Sequence, residues 1–173
     1  LTACGSSSTI ATTDDTSAES TDDRTYKFGG LQLTQHAALD KANEGFIAAL
    51  DESGIKYEVD QQNASGEQSA CQTIAEKLVN DGNDLIYAIA TPAAQAVAGV
   101  TSEIPIVLSA VTDPAESGLV ASNDAPGGNV TGTSDLTPVK EQIELLKQIL
   151  PDAKTVGILF CSSESNSEIQ AAM

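Results

Sequence analysis

From residue 26 onward the chain alternates short apolar runs with longer segments whose apolar residues recur at helical spacing. Residues 26–33, 55–61, 84–90, 105–110, 129–133 and 155–160 read as strands. Between them, residues 38–53 place Leu39, Ala42, Phe46 and Leu50 on one helical face, with Gly54 where a helix-terminating glycine belongs. In residues 66–80 the pairs Ala70–Cys71, Ile74–Ala75 and Leu78–Val79 recur every four residues, the clearest amphipathic helix of the chain. Residues 91–99 open on Thr91-Pro92, read as a helix cap followed by a proline whose missing N–H costs nothing in the first turn. Residues 114–122 form a short helix or turn. Residues 137–150 carry Val139, Ile143, Leu146 and Ile149 or Leu150 on one face, and another helix begins near Ser167. Strictly alternating strands and helices predict an α/β fold, a doubly wound parallel sheet with right-handed crossovers. The run at 84–90 is apolar throughout, as a strand covered on both faces should be.

Composition narrows the function. The chain has 173 residues, 40% of them hydrophobic but only 3% aromatic and none Trp, so its core must be built from Ala, Val, Ile and Leu. Its 25 acidic residues against 8 basic ones give a net charge of −17. Nucleic-acid binding needs clustered Lys and Arg, and so does a polybasic membrane patch; neither fits. An acidic surface mostly serves solubility. No run approaches the roughly 20 apolar residues of a membrane helix. Cys4, Cys71 and Cys161 are odd in number and lack metal-ligand spacing, and His36 is the lone histidine, so no metal site or cofactor is expected. Cys71 falls on an apolar helical stripe, the place of a small buried hydrophobe rather than a reactive thiol.

The first residues have a different character. Leu1-Thr2-Ala3-Cys4-Gly5 resembles a bacterial lipobox, in which the cysteine becomes the lipidated N-terminus after a signal peptide is removed. Residues 6–23 are almost wholly Ser, Thr, Ala, Asp and Glu, a composition that cannot bury enough surface to offset its ordering entropy. The expectation is an acidic tether between a lipid anchor at Cys4 and a folded body outside the bacterial cell membrane.

Three loops share one grammar: an apolar run ends, hydroxyl and carboxylate side chains follow, and the next element begins. They are Ala90-Thr91-Pro92-Ala93-Ala94-Gln95, Val111-Thr112-Asp113-Pro114 and Pro126-Gly127-Gly128-Asn129-Val130-Thr131-Gly132-Thr133-Ser134-Asp135. In a parallel α/β sheet such loops lie at the carboxyl edge, where ligands sit. In these motifs the chain resembles the substrate-binding lipoproteins of ABC importers, in the branch that takes tryptophan, tyrosine and related ligands. Gln142-Ile143-Glu144-Leu145-Leu146-Lys147 and Leu150-Pro151-Asp152-Ala153-Lys154 continue the likeness. The resemblance implies a periplasmic-binding-protein-like fold of two α/β lobes closing on a ligand between them. It divides the chain into a lipobox and tether at 1–24, lobe one at 25–135, and a crossover helix with the incomplete start of lobe two at 136–173.

On that arrangement the candidate ligand-binding residues are Thr34, Gln35 and His36 after the first strand, Thr91 and Pro92 after the third, Thr112 and Asp113 after the fourth, and Thr133, Ser134 and Asp135 after the fifth. Ser162, Ser163 and Asn166 would face them from lobe two. None of these loops holds Lys or Arg, so a ligand carboxylate would be met by helix N-terminal N–H groups near Thr91-Pro92 or Ser163. Asp113 or Asp135 could pair with a ligand ammonium. An amino acid has both groups, aromatic in the branch resembled, although a small polyol suits the same inventory. Each residue has a local role open to it as well: Thr91 as a helix cap, Asp113-Pro114 as a turn start, His36 bonded to its own backbone, and Gly127-Gly128 as a plain turn. No Gly-x-Ser-x-Gly elbow, phosphate loop or paired-carboxylate site appears, so no catalytic residue is assigned and an enzyme is not expected. The expectation is a receptor that captures a small solute and delivers it to an ABC permease. The alternatives are a sensory or partner-binding lipoprotein on the same fold, or a sugar or nucleoside receptor. A DNA-binding version of the fold would carry a basic helix-turn-helix where this chain has its acidic tether.

Overall fold

A computed structural model of the chain describes residues 23–173. The expected lipid anchor at Cys4 and nearly all of the tether lie outside the described residues. Five strands, β1 (Thr25–Gln32), β2 (Lys56–Asn63), β3 (Leu85–Ile89), β4 (Ile106–Val111) and β5 (Val130–Ser134), form one parallel sheet in the order β2-β1-β3-β4-β5. Helices α1 (Ala37–Ser53), α2 (Gln68–Asn80) and α3 (Thr91–Val100) make the crossovers, and α4 (Val139–Ile149) and α5 (Ser165–Ala172) follow the sheet. This is the doubly wound α/β architecture that the alternation predicts.

Strand periodicity divides the sheet into two unlike faces. Leu31, Ile86, Ala88, Ile106, Leu108 and Val130 point to one side and pack with Cys71, Ala75 and Leu78 of α2 and Ala93, Ala94 and Val97 of α3 into a dry aliphatic core. Every one of these residues is buried. Burial also pushes the Cys71 thiol above its ordinary pKa, which suits an inert apolar filler rather than a nucleophile. Opposite them α1 leans on the other face, where Phe46 stacks on Tyr87 of β3 with ring centroids 4.1 Å apart. The Tyr87 hydroxyl donates to the Ala42 carbonyl at 3.3 Å. The stripe of Leu39, Ala42, Phe46 and Leu50 does turn inward, yet no residue of α1 is fully buried. Gly54 ends α1 in the left-handed conformation, φ 72°, as its position in the sequence suggests.

Beyond β5 the packing changes. The segment 155–160, read as a sixth strand, joins no ladder among the described residues; Val156, Ile158, Leu159 and Phe160 stand exposed. The reason is physical: a strand is stabilised by hydrogen bonds and side chains from a neighbour, and apolar content alone supplies neither. Helix α4 has the expected apolar stripe, but Ile143 and Ile149 are exposed and none of its residues is buried. Residues 114–122 are a succession of turns rather than a helix.

Candidate ligand-binding edge

Because all five strands run parallel, the segments after β1, β3, β4 and β5 emerge on a single edge of the sheet. The connections from β1 and β3 leave to opposite sides of the order, which makes the gap between them the topological switch point, where open α/β sheets hold their ligands. Backbone bonds lace this edge together: Leu33 N–H donates to the Ile89 carbonyl, Ala90 N–H to Ser109, and Asp135 N–H to Val111, at 3.0–3.2 Å. The Ser134 hydroxyl adds a bond to the Thr112 carbonyl at 2.7 Å.

The sharpest local feature is Ala90, which turns from β3 into α3 with φ 83° and ψ 152°. Backbone of that kind is nearly confined to glycine, and the strain is held in place by the strand on one side and the helix on the other. Ala90, not Thr91, is therefore the cap of α3; Thr91 is its first residue and Pro92 its second, and no side chain caps the helix. The cap reading of Thr91 is corrected accordingly. Thr91 and Pro92 are buried, with the first turn of α3 aimed at the edge.

Thr112 and Asp113 are buried beside them. Asp113 Oδ1 accepts from Asn123 Nδ2 at 2.9 Å and from the N–H groups of Ala115 and Glu116 at 3.1 Å. The Asn123 amide above all, with these N–H groups, holds the Asp113 carboxyl below the usual carboxylate range against the opposing effect of burial. Asp113 thus serves as the turn anchor that its sequence allows. Every hydrogen bond given to it falls on Oδ1, so Oδ2 is uncommitted among the described residues.

The other candidates divide by exposure. Thr34 is half-buried, its carbonyl accepting from Gln32 Nε2 at 2.8 Å, while Gln35 and His36 are exposed. His36 caps α1, Nδ1 accepting from Ala38 N–H at 3.2 Å, the local role open to it in the sequence. Thr133, Ser134 and Asp135 lie exposed at the far end of the edge.

The carboxy-terminal segment returns to this edge. Gln68 Nε2 donates to the Ser163 carbonyl at 3.2 Å, and Gln95 Nε2 to the Ser117 carbonyl at 3.1 Å and Ser165 Oγ at 3.3 Å. Gln170 Nε2 reaches Thr112 Oγ1 at 3.4 Å. Ser163 and the half-buried Asn166 are thereby brought to the edge; Asn166 Oδ1 is enclosed and without a partner among the described residues, as is Ser117 Oγ. Ser162 is exposed and makes no such bond. Between the 113–116 turn and α5 lies an open cavity of about 500 Å³ bordered by Asp113, Glu116, Glu168 and Ile169. The three glutamine staples were not anticipated; in sequence each is one polar residue on a helix. Among the described residues no cluster of His, Cys, Asp and Glu could hold a metal ion, and no helix is long and apolar enough to cross a membrane.

A doubly wound domain with polar loops gathered along the carboxyl edge of its sheet has the form of a solute-binding lobe. The chain belongs to the ABC transporter substrate binding protein family, whose model matches residues 27–173. It is 48% identical over 155 residues to a tyrosine-binding protein of Clostridioides difficile (strain R20291), an alignment covering 87% of this chain and 45% of that protein. Its structure is similar to that of an ABC domain in complex with L-Trp from Streptococcus pneumonia, at 43% identity and TM-score 0.82, over 86% of this chain and 52% of the other. It is also similar to the ligand-free, open structure of a substrate binding protein with adhesive properties from Clostridium difficile, at 44% identity and TM-score 0.69, over 85% and 51%. The chain therefore spans about half the length of the relatives it matches. The fold is α/β of the periplasmic-binding-protein kind.

Proposed function

We propose that this chain supplies lobe one and the start of lobe two of an extracytoplasmic receptor for an amino acid, aromatic by preference, which it hands to an ABC permease. The observation that carries the reading is the return of α5 to the carboxyl edge of the sheet, where Gln170 reaches Thr112, Ser165 meets Gln95, and Asp113 faces α5 across an open cavity. Family membership supports the receptor class. The names of two relatives, one binding tyrosine and one holding L-Trp, support the ligand class. At nearly equal identity the chain superposes better on the L-Trp complex than on the open ligand-free structure, which supports reading the α5 contacts as a closed arrangement.

In this reading the first turn of α3 offers its free N–H groups to the ligand carboxylate, since no Lys or Arg stands among the candidate residues. Asp113 Oδ2 takes the ammonium, its charge held by the Asn123 amide. Ser163 and Asn166 close from the second lobe. Cys4 would carry the lipid that keeps the receptor at the outer face of the membrane; more than one acyl chain is needed for stable anchoring, and bacterial lipoprotein processing provides that. The test is a thermal-shift series with L-tyrosine, L-tryptophan, L-phenylalanine, monosaccharides and nucleosides, on this chain and on the full-length protein. The expected result is a rise in midpoint of the full-length protein with an aromatic amino acid, by mass action. A response to a nucleoside or sugar alone would overturn the ligand class, and silence to every solute would overturn the receptor reading.

A further inference from the structure

Gly30 stands in the middle of β1, where glycine weakens a strand, and its neighbours give no steric reason for it. A Cβ built on Gly29 would press on the Leu78 and Asn83 side chains at 3.1 Å, a tight fit, and one on Gly132 would strike the Leu108 backbone at 2.1 Å, so packing gives a reason for both glycines. At Gly30 the same Cβ would meet Gln61 at an ordinary 3.6 Å, and φ lies outside the left-handed region. What the missing side chain leaves is a cavity of about 230 Å³ between the sheet and α1, on the face away from the aliphatic core.

The lining is unusual for its amides. Register brings Gln61 beside Gly30, and Asn63 and Ile89 beside Gln32, while α1 contributes Asp40 and Asn43 one turn apart. Gln32 is more than nine-tenths buried, and its Nε2 donates to both the Thr34 carbonyl and Asp40 Oδ1, at 2.8 and 2.7 Å. Both amide hydrogens are thus used and the side chain is locked, leaving Oε1 without a partner among the described residues but not sealed from solvent. Asn43 Nδ2 donates to Gln61 Oε1 at 3.2 Å, which leaves Asn43 Oδ1 and Gln61 Nε2 uncommitted among the described residues. Asn63 Oδ1 is taken by Ser65 N–H, leaving its Nδ2.

We propose that this cavity, which reaches Gln35 at the carboxyl end of β1 but lies on the α1 face of the sheet, is a second binding site for one uncharged polyhydroxyl molecule of monosaccharide size. Uncommitted acceptors (Gln32 Oε1, Asn43 Oδ1) alternate with uncommitted donors (Gln61 Nε2, Asn63 Nδ2), and a hydroxyl group both donates and accepts. An anion is disfavoured because the sole charged lining group is the Asp40 carboxylate. An apolar ligand would displace solvent from the locked Gln32 oxygen and leave it unpaired, at a desolvation cost. The volume falls just below the several hundred Å³ of drug-sized pockets, the scale of a single sugar ring.

The test is ligand-observed NMR of this chain with myo-inositol and with D-glucose, repeated on Gly30→Val, which fills the cavity with a strand-favouring side chain. Saturable binding of one polyol is expected, weakened at least tenfold in Gly30→Val while the melting midpoint of that variant holds or rises. Asn43→Leu, a half-buried position of α1 that faces the cavity, gives the same loss if Gly30→Val folds poorly. Absence of binding by both polyols, binding that survives both substitutions, or competition between polyol and L-tyrosine would each overturn the proposal. The L-tyrosine response is read separately, so failure of the receptor reading leaves this one standing or falling by itself.

Discussion

Residues 25–135 and 136–173 are held by different physics. In the first region every crossover helix lays an apolar face on the sheet, and the residues between α2, α3 and the strands are sealed from water. In the second, α4 and the 155–160 segment expose the very side chains that the sequence marks as core, and Ser163 with the following α5 is attached through glutamine amides. Burying a leucine contributes about 2 kcal/mol, whereas one amide hydrogen bond contributes net about 1 kcal/mol. The first region is therefore a cooperative body, and the second is docked on it by contacts that can be made and broken singly.

The largest effect expected from that contrast comes from the core. Leu31→Ala should cost about 3 kcal/mol in a urea melt, whereas Ile149→Ala on α4 should stay within about 0.5 kcal/mol. Equal losses at the two positions would mean that α4 is packed after all. Next comes the docking itself. Gln95→Ala removes the bonds to Ser117 and Ser165, a loss of roughly 1–2 kcal/mol felt locally. Amide hydrogen exchange of α5 should then quicken by about tenfold while β1 and β3 are unchanged; uniform quickening would put Gln95 in the core's account instead.

The smallest effect is the pH dependence of the 113–123 turn. The folded pKa of Asp113 is depressed below its ordinary 3.8, so its contribution is present above that value and is lost as pH falls through the folded one. Asn123→Ala should remove the main cause of the shift and move the NMR titration midpoint of Asp113 upward. An unmoved midpoint would transfer the effect to the backbone N–H groups.

Much of this contrast could be read in the sequence, and the part that could not has definable causes. The helices and the five paired strands announced themselves because apolar spacing reports which face of an element seeks cover. The same spacing in 155–160 reported only an appetite for cover, since no local pattern says whether a neighbouring strand is there to meet it. Helix α1 showed its stripe yet stays half-exposed, because α2 and α3 share the opposite face of the sheet. At the candidate edge, the hydroxyls and carboxylates that follow strands were visible as loops. Gln68, Gln95 and Gln170 were not, for their partners are distant in the chain and each resembles ordinary helix surface. The corner at Ala90 was hidden for a simpler reason: alanine advertises helix, and its backbone here belongs to glycine.

That corner has a consequence for how the edge and the body come apart. An alanine held at φ 83° relaxes as soon as either neighbour lets go, so the orientation of the first turn of α3 has no existence apart from the ladders of β3. The candidate edge at the start of α3 is accordingly not a loop that frays while the sheet stands. It is lost and regained with the sheet as one unit, and its shape is as old, in the life of each folded molecule, as the core itself.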